Sequence, residues 1–204
     1  MEEYKILDVK QQALQDTVIG KYAEHIYDAH KKKYGDRAAR AVIERSVKIY
    51  AESQKQIEDM SVNNNILLVG KVQSGKTSNL EMLSAIAFDN GYNMLIIYGG
   101  YDNTLLEQTT SRFRKTFGIE DMGERGKPIL LSTAAPNELA ALNNDILEEL
   151  IEEEKPVIIT AMKRPNALEK VNNALKKLDT SKIRAYIIDD EGDQASLNTS
   201  KDKR

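Results

Sequence analysis

Between Gly70 and Thr77 the chain reads Gly-Lys-Val-Gln-Ser-Gly-Lys-Thr. Two glycines five positions apart, followed at once by a lysine and a hydroxyl residue, are suited to holding a row of phosphates. Gly70 and Gly75 admit backbone angles and close approaches that a side chain would block. The N–H groups between them, those of Gln73 and Ser74 included, turn inward as an anion nest. A helix starting near Gly75 adds unpaired N–H groups and the positive end of its dipole, with Ser78 in its first turn. Lys76 is a mobile point charge for the β and γ phosphates, and the Thr77 hydroxyl suits Mg²⁺.

A second group of residues suits the hydrolysis of such a phosphate chain. The apolar run Ala185-Tyr186-Ile187-Ile188 ends in Asp189-Asp190-Glu191-Gly192-Asp193-Gln194. One carboxylate at such a strand end can orient Mg²⁺, and the next can accept a proton from attacking water. Asp190 then serves the metal and Glu191 the water. Shifting the register by one makes Asp189 the metal carboxylate and leaves Asp190 as base. The first register is favoured because it keeps Glu191 for the water. Lys76 and Glu191 are thus the catalytic candidates, and Thr77 and Asp190 the metal candidates.

These residues need a scaffold, and the sequence predicts one by alternation. Ile66 to Val69, Asn93 to Tyr98, Pro128 to Ser132, Val157 to Thr160 and Ala185 to Asp189 are short, continuous apolar runs, as expected of strands buried on both faces. Between them, helical spacing links Leu80, Leu83, Ile86 and Ala87. A second helix is predicted over Asn103 to Phe117. Leu139, Leu142, Ile146, Leu150 and Ile151 mark a third, and Leu168, Val171, Leu175 and Leu178 a fourth. Strand–helix alternation implies an α/β fold with a mainly parallel sheet and right-handed crossovers. Ligands of such sheets sit beyond the carboxyl ends of the strands, where Gly70, Gly99, Thr160 and Asp190 all fall. Residues 1–60 instead look helical and charged. Tyr22, Ile26 and Ala29 suggest one helix, and Ile43, Val47, Tyr50, Ala51 and Gln54 a second over Asp36 to Glu58. The expected division is a helical extension over 1–60 and a nucleotide-binding lobe over 61–204.

The two phosphate motifs carry a resemblance. Asp190-Glu191-Gly192-Asp193 resembles the D-E-x-D of superfamily 2 helicase-like ATPases. The chain is more closely similar to the Z1 domain family, labelled putative endonucleases and found in bacterial and phage-defence proteins. Gly70 to Thr77 matches that family's G-[RK]-V-Q-S-G-K-T, and Ile188 to Ser196 its I-D-D-E-x-D-Q-A-S. Gly100 to Thr109 follows a G-x-x-x-x-L-x-x-Q-T-like pattern between them. Gly192 departs from the family's usual alanine. The resemblance implies a three-layer, RecA-like P-loop NTPase lobe that binds ATP and Mg²⁺. It also implies nucleic acid as partner, DNA before RNA, with Gly100, Gln108, Thr109, Lys163 and Arg164 at its backbone. A second lobe, or a partner protein, would supply an arginine finger, and the stop at Arg204 carries the expectation that this lobe lies outside the chain. No nuclease pattern supports the endonuclease label: the E-x-K at Glu153 to Lys155 ends a charged helix.

Composition narrows the rest. The chain has 204 residues, 41% hydrophobic, with a net charge of −3 and no cysteine. That excludes disulfides and thiolate metal sites and gives no global nucleic-acid footprint, although local basic stripes can serve instead. His25 and His30 are spaced so that they do not share a helix face, which argues against a metal site. No run is long enough to span a membrane, and the acidic start lacks a signal-peptide layout. The expected setting is cytoplasmic, without membrane contact. Two rival functions remain: a regulatory or scaffold module that uses nucleotide as a conformational ligand, and a small-molecule kinase. The second needs a lid, and no arginine-rich lid segment is present.

Overall fold

The computed structural model describes residues 16–55, 75–100, 102–119, 126–135, 138, 144–176 and 178–190. The expected first strand, Gly70, Gln73, Ser74, Leu139, Leu142 and Glu191 lie outside these residues. The chain divides into two compact units, Met1–Gly91 and Tyr92–Arg204. The helix that follows the phosphate motif lies in the first unit.

The first unit holds α1 (Lys21–Tyr34), α2 (Asp36–Lys55) and α3 (Lys76–Asp89). Gly35 separates α1 from α2 with φ +86°, and its N–H returns to the Lys31 carbonyl at 2.9 Å. The buried stripe of α1 is Ala23, Ile26, Tyr27 and His30, one position away from the Tyr22 and Ala29 expected from spacing. In α2, Ile43, Val47, Tyr50 and Ala51 are buried as expected. Nearly every residue of α3 from Asn79 to Phe88 is buried, so this helix has no solvated stripe.

α1 has no capping side chain of its own. The Asp89 carboxylate, at the end of α3, accepts from Gly20, Tyr22 and Ala23 N–H at 2.9, 3.1 and 2.9 Å. A Cβ on Gly20 would stand 2.8 Å from Asp89 Oδ1, so a side chain there would push the capping carboxylate aside. Inside the unit His30 Nε2 lies 3.2 Å from Glu81 Oε2, which places His30 in a buried polar pair with α3.

The second unit contains β1 (Met94–Gly99), α4 (Asn103–Thr116), β2 (Ile129–Ser132), α5 (Asn144–Glu152), β3 (Val157–Ala161), α6 (Pro165–Leu175), a 3-10 turn (Thr180–Lys182) and β4 (Ala185–Asp190). The four strands form a parallel sheet in the order β2-β3-β1-β4. All four strands expected within the described residues are present.

One face of this sheet presents Met94, Ile96, Ile129, Leu131, Val157 and Ile159 to Leu147, Leu150 and Ile151 of α5 and to Val171 and Ala174 of α6. The opposite face receives α4. There Thr110 Oγ1 lies 2.8 Å from Thr160 Oγ1 and 3.3 Å from Ser132 Oγ, a buried hydroxyl cluster that satisfies its own polar atoms. Helices thus cover both faces.

The outer strand departs from the expected burial. β4 alternates: Ala185, Ile187 and Asp189 are exposed, while Ile188 is buried. The exposed stripe is on the α5–α6 side, since Ile187 is level with Ile96, and Ile187 is 60% exposed. Among the described residues β4 is the sheet's edge, and α5 and α6 pack over the other end. Ile146 and Leu168, expected to face the core, are exposed as well.

Candidate functional site

Gly75 adopts a left-handed conformation (φ 78°, ψ 23°) and starts α3. A Cβ there would meet nothing within 4 Å, so backbone angle and not space asks for glycine. Its carbonyl accepts the Asn79 backbone N–H at 3.2 Å and Asn79 Nδ2 at 2.9 Å, which locks the first turn. Asn79 is buried and also lies 3.4 Å from Ser46 Oγ of α2. On this anchored turn Lys76 is exposed, with Thr77 and Ser78 half-buried.

In the second unit the strands are parallel, so their carboxyl ends share one rim. Gly99 ends β1 and Gly100 follows it, Thr133 stands after β2, Lys163 and Arg164 after β3, and Asp189 and Asp190 at the end of β4. Gly99 lets α4 approach: a Cβ would meet Thr109 Cβ at 3.0 Å. Thr109 is 5% exposed, so its side chain holds α4 to β1 and does not face solvent, whereas Gln108 is exposed. Gly100 has φ +86°, and its carbonyl accepts the Lys163 N–H at 2.8 Å. Asp102 caps α4 by accepting the Leu105 N–H at 2.8 Å.

Asp189 and Asp190, adjacent along β4, project to opposite faces of the sheet. Asp189 is level with Tyr98 and ion-pairs with Lys163. Burial, and then the nearby Asp189 charge, push the Tyr98 hydroxyl pKa up. Asp190 is level with Gly99 on the α4 side, where Arg112 Nη1 lies 3.9 Å from its Oδ2. That is beyond hydrogen-bonding distance, so the pair is loose.

No family model, curated protein or solved structure matches the chain. The site therefore stands on its own geometry.

A cavity of about 330 Å³ opens beside the carboxyl ends of β2 and β3, lined by Thr133, Met162, Arg164, Pro165, Asn166, Ala167 and Lys170. Arg164 is the N-cap residue of α6 and Pro165 its first residue, where a missing N–H costs no helical bond. Thr133 Oγ1 is buried without a hydrogen-bond partner. Two cationic side chains, a helix N-terminus and an unsatisfied hydroxyl together favour an anion of phosphate size. The sequence singled out Arg164 but not Thr133 or Lys170. Lys170 is one helical turn beyond Asn166, a spacing visible in the sequence. Thr133 had no local signal, since only the packing of β2 against β3 brings it there.

No cluster of three or more His, Cys, Asp or Glu side chains suited to a metal occurs among the described residues. Mg²⁺ asks for less, being held by one or two protein oxygens and the phosphates of its nucleotide. Asp190, with its side chain 26% exposed and only loosely paired, fits that demand. Asp189, whose side chain is 54% exposed, is ion-paired with Lys163.

Proposed function

We propose that this chain is the ATP-binding lobe of a nucleic-acid-dependent, helicase-like P-loop ATPase of the Z1 type. The observation that carries the reading is the start of α3. Gly75 is left-handed, its carbonyl is pinned by Asn79, and Lys76 stands exposed in the first turn, which is the local geometry that the Gly70–Thr77 motif needs. A parallel α/β sheet whose outer strand ends in Asp189-Asp190 is compatible with a RecA-like lobe.

On its sequence motifs alone, this reading assigns the loop amides and Lys76 to the triphosphate tail, Thr77 and Asp190 to Mg²⁺, and Glu191 to the proton of the attacking water. When bound, Mg²⁺ neutralises charge on the phosphate oxygens. The cavity at the start of α6 supports a nucleic-acid backbone as partner, with Arg164 and Lys170 as phosphate contacts. Such contacts position a polymer without reading its sequence, which suits an ATPase that moves along or remodels nucleic acid.

The test uses three proteins. Lys76→Ala is expected to abolish ATP binding by calorimetry in the presence of Mg²⁺. Glu191→Gln is expected to keep binding within about threefold of the parent and to stop phosphate release, since a general base contributes about 10²–10⁴ in rate. Equal loss of binding in both variants would refute the roles. Stimulation of phosphate release by single-stranded DNA separates this reading from a regulatory module.

A further inference from the structure

The corner between α1 and α2, within the first unit, concentrates positive charge. Lys31 to Arg40 holds five cations against one carboxylate, in a chain whose net charge is −3. That carboxylate is already engaged. Asp36 accepts from Arg40 Nε at 2.6 Å and from the Tyr27 hydroxyl at 2.9 Å, and Lys31 Nζ lies 3.3 Å from it. Lys32 and Arg37 are exposed and have no ion-pair partner among the described residues.

Helix electrostatics accounts for part of this pattern only. Lys31, Lys32 and Lys33 stand in the last turn of α1, where the negative end of the helix dipole favours cations. Arg37 has the opposite setting. It lies in the first turn of α2, at the positive end, where a cation works against the helix unless an anion comes to it. Tyr34 adds a second property. It is the last residue of α1, and Gly35, with φ +86°, turns the chain away directly after it. Tyr34 is 53% exposed. Lys33 Nζ stands 4.6 Å from its ring centroid, and the buried His30 ring packs against it at 5.9 Å and 68°. The ring is thus held from inside while more than half of the residue faces water.

We infer that the α1–α2 corner binds single-stranded nucleic acid, with Lys32 and Arg37 on backbone phosphates and Tyr34 as a platform on which a base stacks. The inference rests on the reading above for the class of partner, and uses neither the nucleotide motif nor the cavity at the start of α6. Cations alone would suit any polyanion. A lipid surface also needs an apolar face to receive, and the apolar residues of α1 are already buried inside the unit. An exposed ring beside phosphate-binding cations matches a strand whose bases are free to stack, because every base has a π-face. In a duplex those faces cover one another.

The test follows the fluorescence anisotropy of a labelled single-stranded oligodeoxynucleotide of about 20 nucleotides, longer than one stacking site. The full chain is titrated in at salt concentrations from about 50 to 200 mM. Lys32→Gln combined with Arg37→Gln is expected to reduce the slope of log affinity against log salt by about 1.4, since each phosphate contact to a single strand contributes about 0.7. Tyr34→Leu should weaken binding by about fivefold or more at fixed salt and leave the slope unchanged, as for a lost stacking partner. Tyr34→Phe keeps the ring and should bind within about twofold of the parent. Arg37→Gln alone should not lower the melting temperature, because it removes a cation from the wrong end of α2. Ultraviolet crosslinking of a 5-iododeoxyuridine oligonucleotide to the unmutated chain should map to Tyr34, which keeps the test independent of how any variant folds.

An unchanged salt slope in the double charge variant, parental affinity in Tyr34→Leu, or crosslinks confined to residues outside the corner overturns the inference. Binding to vesicles of phosphatidylcholine and phosphatidylserine that depends on Lys32 and Arg37, without oligonucleotide binding, also overturns it and makes the partner a membrane surface. The reading above fails separately. Parental oligonucleotide affinity in Arg164→Gln would remove the α6 cavity from the interface while the corner variants kept their effect. Absence of ATP binding would likewise leave the oligonucleotide results standing. No oligonucleotide binding by the unmutated chain at about 50 mM salt refutes the corner and the cavity together.

Discussion

Replacing Gly100 by alanine tests how tightly the rim of the sheet is built. Gly100 follows β1 with φ +86°, a region that costs an L-residue with a side chain about 1–2 kcal/mol. Its new Cβ would also stand 2.9 Å from both Cβ and Cδ1 of Leu105, in the first turn of α4. A Cβ cannot rotate away, so α4 or the backbone must shift, and overpacking of this kind costs about 1–3 kcal/mol. The two effects sum to about 2–5 kcal/mol, a large share of the 5–15 kcal/mol typical of a folded domain. At about 4–8 °C per kcal/mol for a unit of this size, the melting temperature should fall by roughly 8–40 °C.

Thermal unfolding followed by circular dichroism measures that loss. The same substitution in a Leu105→Gly background isolates its parts. Removing both contacting atoms should reduce the added cost of Gly100→Ala to the backbone share, about 1–2 kcal/mol. A melting temperature within about 2 °C of the parent would refute the reasoning, since neither the strain nor the clash would then exist.

Other perturbations give separate readings. Asp89→Ala removes three acceptors from the start of α1 and should cost about 1–2 kcal/mol, with faster hydrogen exchange at the Tyr22 and Ala23 amides; unchanged exchange would refute the capping role. Thr110→Val leaves Thr160 and Ser132 without their shared hydroxyl and should destabilise by about 1–3 kcal/mol in urea unfolding. Hydrogen bonds from Arg40 and then Tyr27 hold the Asp36 carboxyl pKa at about 2. This folded value lies below the unfolded one, so the contribution is present above about pH 4 and lost as pH falls toward 2. The melting temperatures of the parent and Asp36→Asn should therefore converge over that interval, and a constant difference would exclude the ion pair as the cause.

What the chain spells out locally, it determined by itself. Val157 to Thr160 and Ala185 to Asp189 declare strands because continuous apolar runs bounded by polar turns have few other solutions. Gly75-Lys76-Thr77 declares a helix start because a residue free to turn left-handed stands directly before a helical run. The order of the strands, and the identity of residues that meet across them, had no such local signal. Asp189 and Asp190 look equivalent as letters. Only the pleat of β4, set against α4 on one side and Lys163 on the other, gives them different counter-ions. Lys163 and Arg164 are likewise neighbouring cations until the turn after β3 encloses one and opens the other onto a cavity. Thr133 enters that cavity through the pairing of β2 with β3, and Asp89 caps a helix that begins nearly seventy residues earlier. Each of these depends on burial and on contacts between distant segments, which residue type and spacing do not encode one element at a time.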